Sequence, residues 1–236
     1  MKPVLLIDCY LDSRGAARNF VPWLGDIPVE VIRPPHEKPG QALPAERYRA
    51  VLISGSGASA CDLPEWAEAL LDPLRGFARH EVPMLGVCFG HQIIARALFG
   101  KNAVRLAAVP EVGWRAVTVT ASDPLFDGIG PDFRVFVSHR DEVVAEACPA
   151  SGKGSMRVFA HTQQCANHAF RIAELPVWGV QFHAEMAIDE ASELVHAKAT
   201  AHPELGLVPA QVLASASDER PLFGRIMQNF LLHVPV

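Results

Sequence analysis

Pro83-Met84-Leu85-Gly86-Val87-Cys88-Phe89-Gly90-His91-Gln92-Ile93-Ile94-Ala95-Arg96-Ala97-Leu98-Phe99-Gly100 encodes a strand, a sharp turn and a helix in one span. Pro83 to Val87 is short and apolar, which suits a buried strand. Ile93, Ile94, Ala97 and Leu98 share a helical face, and Gly100 is placed to end that helix. The turn between them is Gly86-Val87-Cys88-Phe89-Gly90. In such a turn the backbone is strained and neighbouring chain passes close, so only small residues fit two positions either side of the centre. Gly86 and Gly90 meet that need, following the logic of the G-x-S-x-G elbow with sulfur in place of oxygen. The N-terminus of the following helix presents unpaired N–H groups and partial positive charge. Both favour thiolate over thiol, whose free pKa is about 8.5. Cys88 is therefore the candidate nucleophile.

Upstream, Val4–Ile7, Val29–Ile32 (stopping at Pro34-Pro35) and Ala50–Ile53 read as strands. The third runs into Ser54-Gly55-Ser56-Gly57, a loop of little bulk. Pro64 to Phe77 reads as one helix through Trp66, Leu70, Leu74 and Phe77, with Pro64 tolerated near its start. This alternation implies a mostly parallel sheet covered on both faces. After Gly100 the pattern changes. Val112–Thr120, Phe133–Val137, Met156–Ala160, Ala169–Ile172 and Val177–Phe182 read as strands separated by turns such as Ser122-Asp123-Pro124 and Ser151-Gly152-Lys153-Gly154. Ile188–Ala201 and Leu222–Leu232 read as closing helices, and His202 to Arg220 as a mobile loop. The expected fold is a single α/β domain over residues 1–236. Its central, mostly parallel sheet is flanked by helices in the flavodoxin-like manner and carries a smaller antiparallel β extension.

The 236 residues are half hydrophobic with a net charge of −5, enough for a sizeable core and without a basic stripe for nucleic acid. The N-terminal apolar run meets Asp8 at once, too short for a leader, and no stretch approaches the ~18 apolar residues of a membrane helix. The expectation is a cytoplasmic protein with neither a membrane nor a nucleic-acid partner. Cys9, Cys61, Cys148 and Cys165 are widely spaced and read as buried apolar residues. His139, His161, His168 and His183 form no H-x-E-x-H or i,i+4 pair, so no metal is expected. Ser151-Gly152-Lys153-Gly154-Ser155 lacks phosphate-loop spacing and reads as a flexible turn, and Trp66 and Trp178 read as core. His91, three residues after Cys88 on a helix, points away from it and reads as surface or packing.

A thiol nucleophile works with a histidine that takes and returns its proton, held in one tautomer by a third group. Trp178-Gly179-Val180-Gln181-Phe182-His183-Ala184-Glu185 supplies such a pair at a strand end, because residues two apart share a side of extended chain. Backbone N–H groups at Phe89 and in the Ser54–Gly57 loop are placed to receive an oxyanion.

Gly86-Val87-Cys88-Phe89-Gly90-His91-Gln92 together with Gly179-Val180-Gln181-Phe182-His183-Ala184-Glu185 resembles the class I glutamine amidotransferases, most closely the glutaminase domain of GMP synthetases. Ile53-Ser54-Gly55-Ser56-Gly57-Ala58-Ser59 is similar to that family's oxyanion loop, and Val137-Ser138-His139-Arg140-Asp141 to its substrate-facing segment. The resemblance implies Cys88 as nucleophile, His183 as base and Glu185 as orienter. It implies an oxyanion hole from the backbone of Phe89 and the Gly55-Ser56 turn. It also implies that Gln92, Ser138 and His139 line the amino-acid end of the pocket. Two positions depart from the family: Gly55-Ser56-Gly57 stands where Gly-Gly-Pro is usual, and Arg140 where glycine follows Ser-His. Arg140 is a candidate clamp for a substrate carboxylate.

Three readings follow. A glutamine amidotransferase would cleave the γ-amide of glutamine through a γ-glutamyl thioester and pass ammonia to a separate synthetase subunit. The same residues in a stand-alone γ-glutamyl hydrolase would act on γ-glutamyl amides or peptides. An inactive binding module would be expected to have lost one of Cys88, His183 and Glu185. The first two need a small-molecule substrate and no cofactor.

Overall fold

The computed structural model describes residues 1–37, 42–149 and 154–235; the Ser151-Gly152-Lys153 part of the expected flexible turn lies outside them. The strands are β1 (Val4–Ile7), β2 (Val29–Ile32), β3 (Ala50–Ile53), β4 (Met84–Val87), β5 (Val104–Val119), β6 (Asp132–Val143), β7 (Met156–His161), β8 (Ala169–Ile172) and β9 (Val177–Val180). The helices are α1 (Ala17–Phe20), α2 (Glu65–Glu68), α3 (Leu71–Arg79), α4 (Phe89–Phe99), α5 (Ile188–Ala201), α6 (Pro209–Leu213) and α7 (Arg220–Leu231).

β1, β3, β4 and β9 are buried at every position, the condition of strands covered on both faces. Among the described residues all strands join one sheet, in the order β2-β1-β3-β4-β9-β8-β7-β5-β6. The first five strands run parallel, in the 2-1-3-4-5 arrangement of flavodoxin-like sheets. From β9 onward the pairing is antiparallel, so the expected extension continues the same sheet.

Side chains alternate between the faces. Leu5, Ile7, Val51 and Ile53 meet Leu74 and Phe77 of α3 and Phe89, Ile93 and Ile94 of α4. Val4, Leu6, Leu52, Val87 and Trp178 meet Phe20 of α1 and Phe223, Ile226 and Phe230 of α7. Trp178 is fully buried and its indole N–H donates to Asp123 at 2.9 Å, a core role as its sequence context implies. Trp66 packs partly buried against the α3–α4 side.

Three elements differ from the sequence reading. The helix expected over 64–77 is two, α2 and α3, and the restart at Leu71 places Pro73 in a first turn, where its missing N–H breaks no helical bond. β5 and β6 are longer than their apolar cores, because their outer ends pair with each other past a bulge between Leu106 and Glu111. The expected mobile loop from His202 to Arg220 instead contains a 3₁₀ turn (Pro203–Leu205) and α6. Its Leu205, Leu207, Val212 and Leu213 pack on Val112, Trp114, Phe136 and Val195. The Trp114 indole N–H donates to Ser217 O (3.2 Å) and Glu219 (3.0 Å), closing the segment over β5. The scattered leucines carry no helical period of their own, so only packing against β5 and α5 reveals the order. Among the described residues no helix is long and apolar enough to cross a membrane.

Candidate active site

β4 and β9 are parallel neighbours with Val87 opposite Val180, so the residues that follow them emerge at the same edge of the sheet. Cys88 is the N-cap of α4, with φ 53° and ψ −103°. That left-handed value is strained for a residue with a side chain. The turn is held by Cys88 N–H donating to Val180 O (2.8 Å) and Gly90 N–H to Ser54 O (3.1 Å). The two flanking glycines are required by contact. A Cβ on Gly86 would lie 2.3 Å from Gly90 C and O, and one on Gly90 would lie 2.3 Å from Ile53 O.

His183 leaves the strand line by pairing its N–H with Phe136 O at 2.8 Å, an isolated bridge to β6. Its Nδ1 is 2.7 Å from Glu185 Oε1, and both side chains are buried. Tyr10, just past β1, donates to the same carboxylate oxygen at 3.5 Å. Burial alone would lower the His183 pKa; the charges of Glu185 and Cys88, with hydrogen bonds to both, outweigh it and raise the pKa from 6.5 to about 10. The imidazole is thus held protonated between a carboxylate and the sulfur. Gly55 lies against both partners: a Cβ there would sit 2.8 Å from His183 Cε1 and 3.6 Å from the Cys88 Cβ. Ser54 fixes this loop, since its hydroxyl accepts from Cys9 N–H (2.8 Å) and donates to Gly55 O (3.0 Å). A first-turn N–H such as that of Phe89 has no partner within its helix. Phe89 follows Cys88 as the first residue of α4, and Gly55 borders the Cys88 side chain.

Residues 5–199 match the family model described as glutamine amidotransferase class-I. The chain belongs to this family. It is 36% identical over 120 residues to a glutamine-hydrolysing GMP synthase subunit from Pyrococcus abyssi, covering 51% of this chain and 60% of that protein. To the corresponding subunit from Methanopyrus kandleri it is 30% identical over 187 residues, 79% of this chain and 91% of the relative. The chain thus spans less than two thirds of the Pyrococcus abyssi relative. The fold is shared with a glutamine amido transferase structure from Methylobacillus flagellatus, with TM-score 0.77, 20% identity and coverage of 100% of this chain and 96% of the other. A Thermotoga maritima glutamine amidotransferase structure gives TM-score 0.74 at 19% identity, covering 98% and 96%.

Around this family member's thiol lie two cavities. One, of about 290 Å³, is lined by Cys88, Gln92, Ser138, Arg140, Asp141 and Lys198 among others. The second, of about 360 Å³, opens against His183 and is lined by Tyr10, Leu11, Arg14, Arg18, Met186 and Leu194 among others. Ser56, Gly57, Ser138 and Lys198 border both.

The residues expected to bind substrate are not all presented alike. Ser138 borders both cavities, and its carbonyl oxygen is 3.8 Å from the Cys88 sulfur. Gln92 uses its amide N–H groups on Asp141 O and Gln181 Oε1, both at 2.9 Å, so it fastens β6 and the residue just past β9 to α4. The His139 ring turns inward, its side chain 1% exposed and bound to Glu111. Arg140 is exposed at the rim, 3.8 Å from Asp141. His91 is fully buried and packs on Phe170 with the rings tilted and their centroids 4.6 Å apart; burial lowers its pKa to about 3, so it packs in neutral form.

Three residues without an assigned role in the sequence reading matter here. Asp141 accepts from Ser59 Oγ (2.6 Å), Ala60 N–H (2.7 Å) and Cys61 N–H (3.3 Å), tying the chain after the Gly55 loop to β6. Tyr10 supports Glu185, and Lys198 of α5 faces both cavities. Burial lowers the Lys198 pKa, while the charges of Cys88 and Asp141 oppose that and Arg140 adds to it. No local motif marks Tyr10 or Lys198, since each reaches the site only through tertiary packing; Asp141 had a signal, its place directly after Ser138-His139-Arg140.

Proposed function

We propose that this chain hydrolyses the γ-amide of glutamine, with Cys88 as nucleophile, His183 as acid and base and Glu185 as its orienter. The observation that carries the reading is the buried line from Glu185 through His183 to Cys88, with His183 held protonated beside the sulfur. The Cys88 thiolate attacks the γ-carbonyl, and its oxygen gathers charge against the N–H groups of Phe89 and the Gly55-Ser56 turn. His183 gives its proton to the departing ammonia as the C–N bond breaks, leaving a γ-glutamyl thioester. Acylation removes the negative charge from sulfur, so the imidazole loses one of the groups that raised its pKa. It then takes a proton from water, which attacks the thioester and releases glutamate and the thiolate. These residues complete the cycle without a cofactor. Lys198 and Arg140 supply positive charge for the α-carboxylate end, while Gln92 holds the wall and Ser138 lines the pocket.

The relatives named as glutamine-hydrolysing GMP synthase subunits support a partner role, in which the ammonia passes to a separate synthetase subunit. A second reading has its own support: the cavity beside His183 lies where a leaving amine would depart, and Leu11, Met186 and Leu194 give it an apolar wall. That space suits a γ-glutamyl amide or peptide with a larger leaving group. A panel of glutamine and γ-glutamyl dipeptides, with Cys88→Ala as control, tests both. Release of glutamate from glutamine, abolished in the control, is expected. A preference for substituted amides would replace the first reading by the second, and no turnover of any γ-glutamyl amide would sink both.

A further inference from the structure

Behind the substrate pocket, four side chains from separate parts of the chain converge. Glu111 of β5 and His139 of β6 are cross-strand partners beside the β5 bulge. His168 lies just before β8, and Cys165 sits in the turn between β7 and β8. That turn is fixed by Thr162 N–H donating to Cys165 O (2.9 Å) and Cys165 N–H donating to Thr162 Oγ1 (3.0 Å). One donor atom from each of Glu111, His139, Cys165 and His168 lies within 4.8 Å of every other, and all four residues are buried. The proposed amidase cycle uses none of them.

The hydrogen bonding fixes how the rings present themselves. His139 Nδ1 is 3.1 Å from Asp141 O, and a carbonyl only accepts, so Nδ1 carries the hydrogen. Its other nitrogen, Nε2, faces Glu111 Oε2 at 3.1 Å. A ring N–H held by a backbone carbonyl, which leaves the other nitrogen to a metal, is how metal-bound histidines are usually oriented. His168 turns its Nε2 to the same oxygen at 2.9 Å, and Thr162 donates to both Glu111 oxygens at 3.0 Å, as an outer partner of a ligating carboxylate does. Tetrahedral zinc with bonds of about 2.0–2.2 Å to nitrogen and oxygen sets its ligand atoms about 3.3 Å apart. The two N···O separations are within a few tenths of an ångström of that.

We propose that Glu111, His139, Cys165 and His168 form a closed, four-ligand structural zinc site that pins β5, β6 and the β7–β8 turn together. The donor set of two imidazoles, a thiolate and a carboxylate suits zinc, and complete burial leaves no open position for a substrate. Binding replaces the Cys165 S–H bond with S–Zn and releases that proton to solvent. The site reaches the active centre through one carbonyl: Asp141 O receives both His139 and the Gln92 amide. His139 also follows Ser138, whose carbonyl faces the nucleophile.

The full chain, purified without a metal-binding tag, is incubated with excess zinc, desalted and assayed for metal. The same is done in a Cys88→Ala background, so that zinc on the active-site thiolate is not counted. About one zinc per chain is expected in both. His168→Gln keeps a hydrogen-bond donor to Glu111, and Cys165→Ser keeps the volume; each is expected to remain folded by circular dichroism and to lose the metal. Cobalt loading gives a readout that needs no variant stability: a thiolate-to-cobalt charge-transfer band in Cys88→Ala, absent when Cys165→Ser is added. Chelator should lower the Tm of the parent and leave that of His168→Gln unchanged. Background zinc in the Cys88→Ala protein, with no cobalt band and no chelator effect, would overturn the proposal and leave Glu111 as a carboxylate held by hydrogen bonds alone.

Discussion

In the parallel half of the sheet, β3, β4 and β9 end side by side, and each releases one part of the proposed chemistry: the Gly55 loop, Cys88, and His183 with Glu185. In the antiparallel half, β5 and β6 run past the site and present residues by register: Ser138 beside the sulfur, Asp141 on the Ser59–Cys61 chain, Glu111 against His139. Parallel strands end at one edge, so short segments following them meet at a point. Antiparallel strands instead form a wall, whose residues act by holding other residues in place.

That contrast can be broken by experiment. If the strand ends carry the chemistry, Cys88→Ala should lower kcat by about 10⁴-fold or more with the fold intact; measurable glutamate release near the parent rate would end the assignment. Gly55→Ala puts a methyl group 2.8 Å from His183 Cε1 and should displace the ring. A loss of about 10²-fold in kcat is expected, and a parent-like rate would mean that the ring needs no fixed position. The pH profile tests the His183 proton itself. With its pKa raised from 6.5 to about 10, the stabilisation from this proton is fully present below about pH 6.5 and is lost as pH rises through about 10. Both Tm and kcat/KM should fall across that alkaline limb, the rate by about tenfold per pH unit beyond it. A limb centred near pH 6.5 would show that Glu185 and Cys88 do not hold the proton.

The wall should respond differently. Asp141→Ala leaves the buried Ala60 N–H without its acceptor, at about 1–3 kcal/mol, and frees the Ser59–Cys61 chain. It should lower Tm and raise KM more than it changes kcat; a selective collapse of kcat would place Asp141 in the chemistry instead. Arg140→Gly should alter the preference between glutamine and γ-glutamyl dipeptides by about fivefold at most, the scale of an exposed ion pair. An unchanged preference would remove Arg140 from substrate reading.

The elbow was legible because its constraint is local. A thiol at φ 53° between a strand and a helix needs small neighbours, and Gly86 and Gly90 declare this within five residues. The pairing of His183 with Glu185 was legible for the same reason, since residues two apart on extended chain share a side. The inward turn of the His139 ring was not, because its Glu111 partner lies on another strand. The order of 202–213 was not either, because Leu205 and Val212 gain their burial from Val112 and Trp114.

The sequence by itself determined the alternation of strands and helices, the elbow at Cys88 and the pairing of His183 with Glu185. Each depends on spacing within a few residues, where backbone geometry leaves little choice. Tertiary structure alone decided that β9 returns to lie beside β4, which sets His183 next to the sulfur. It also decided that Tyr10, Asp141 and Lys198 surround the site and that Glu111, His139, Cys165 and His168 converge behind it. Those contacts join residues far apart in the chain, and their free energy comes from burying both partners at once, so neither segment carries the signal alone.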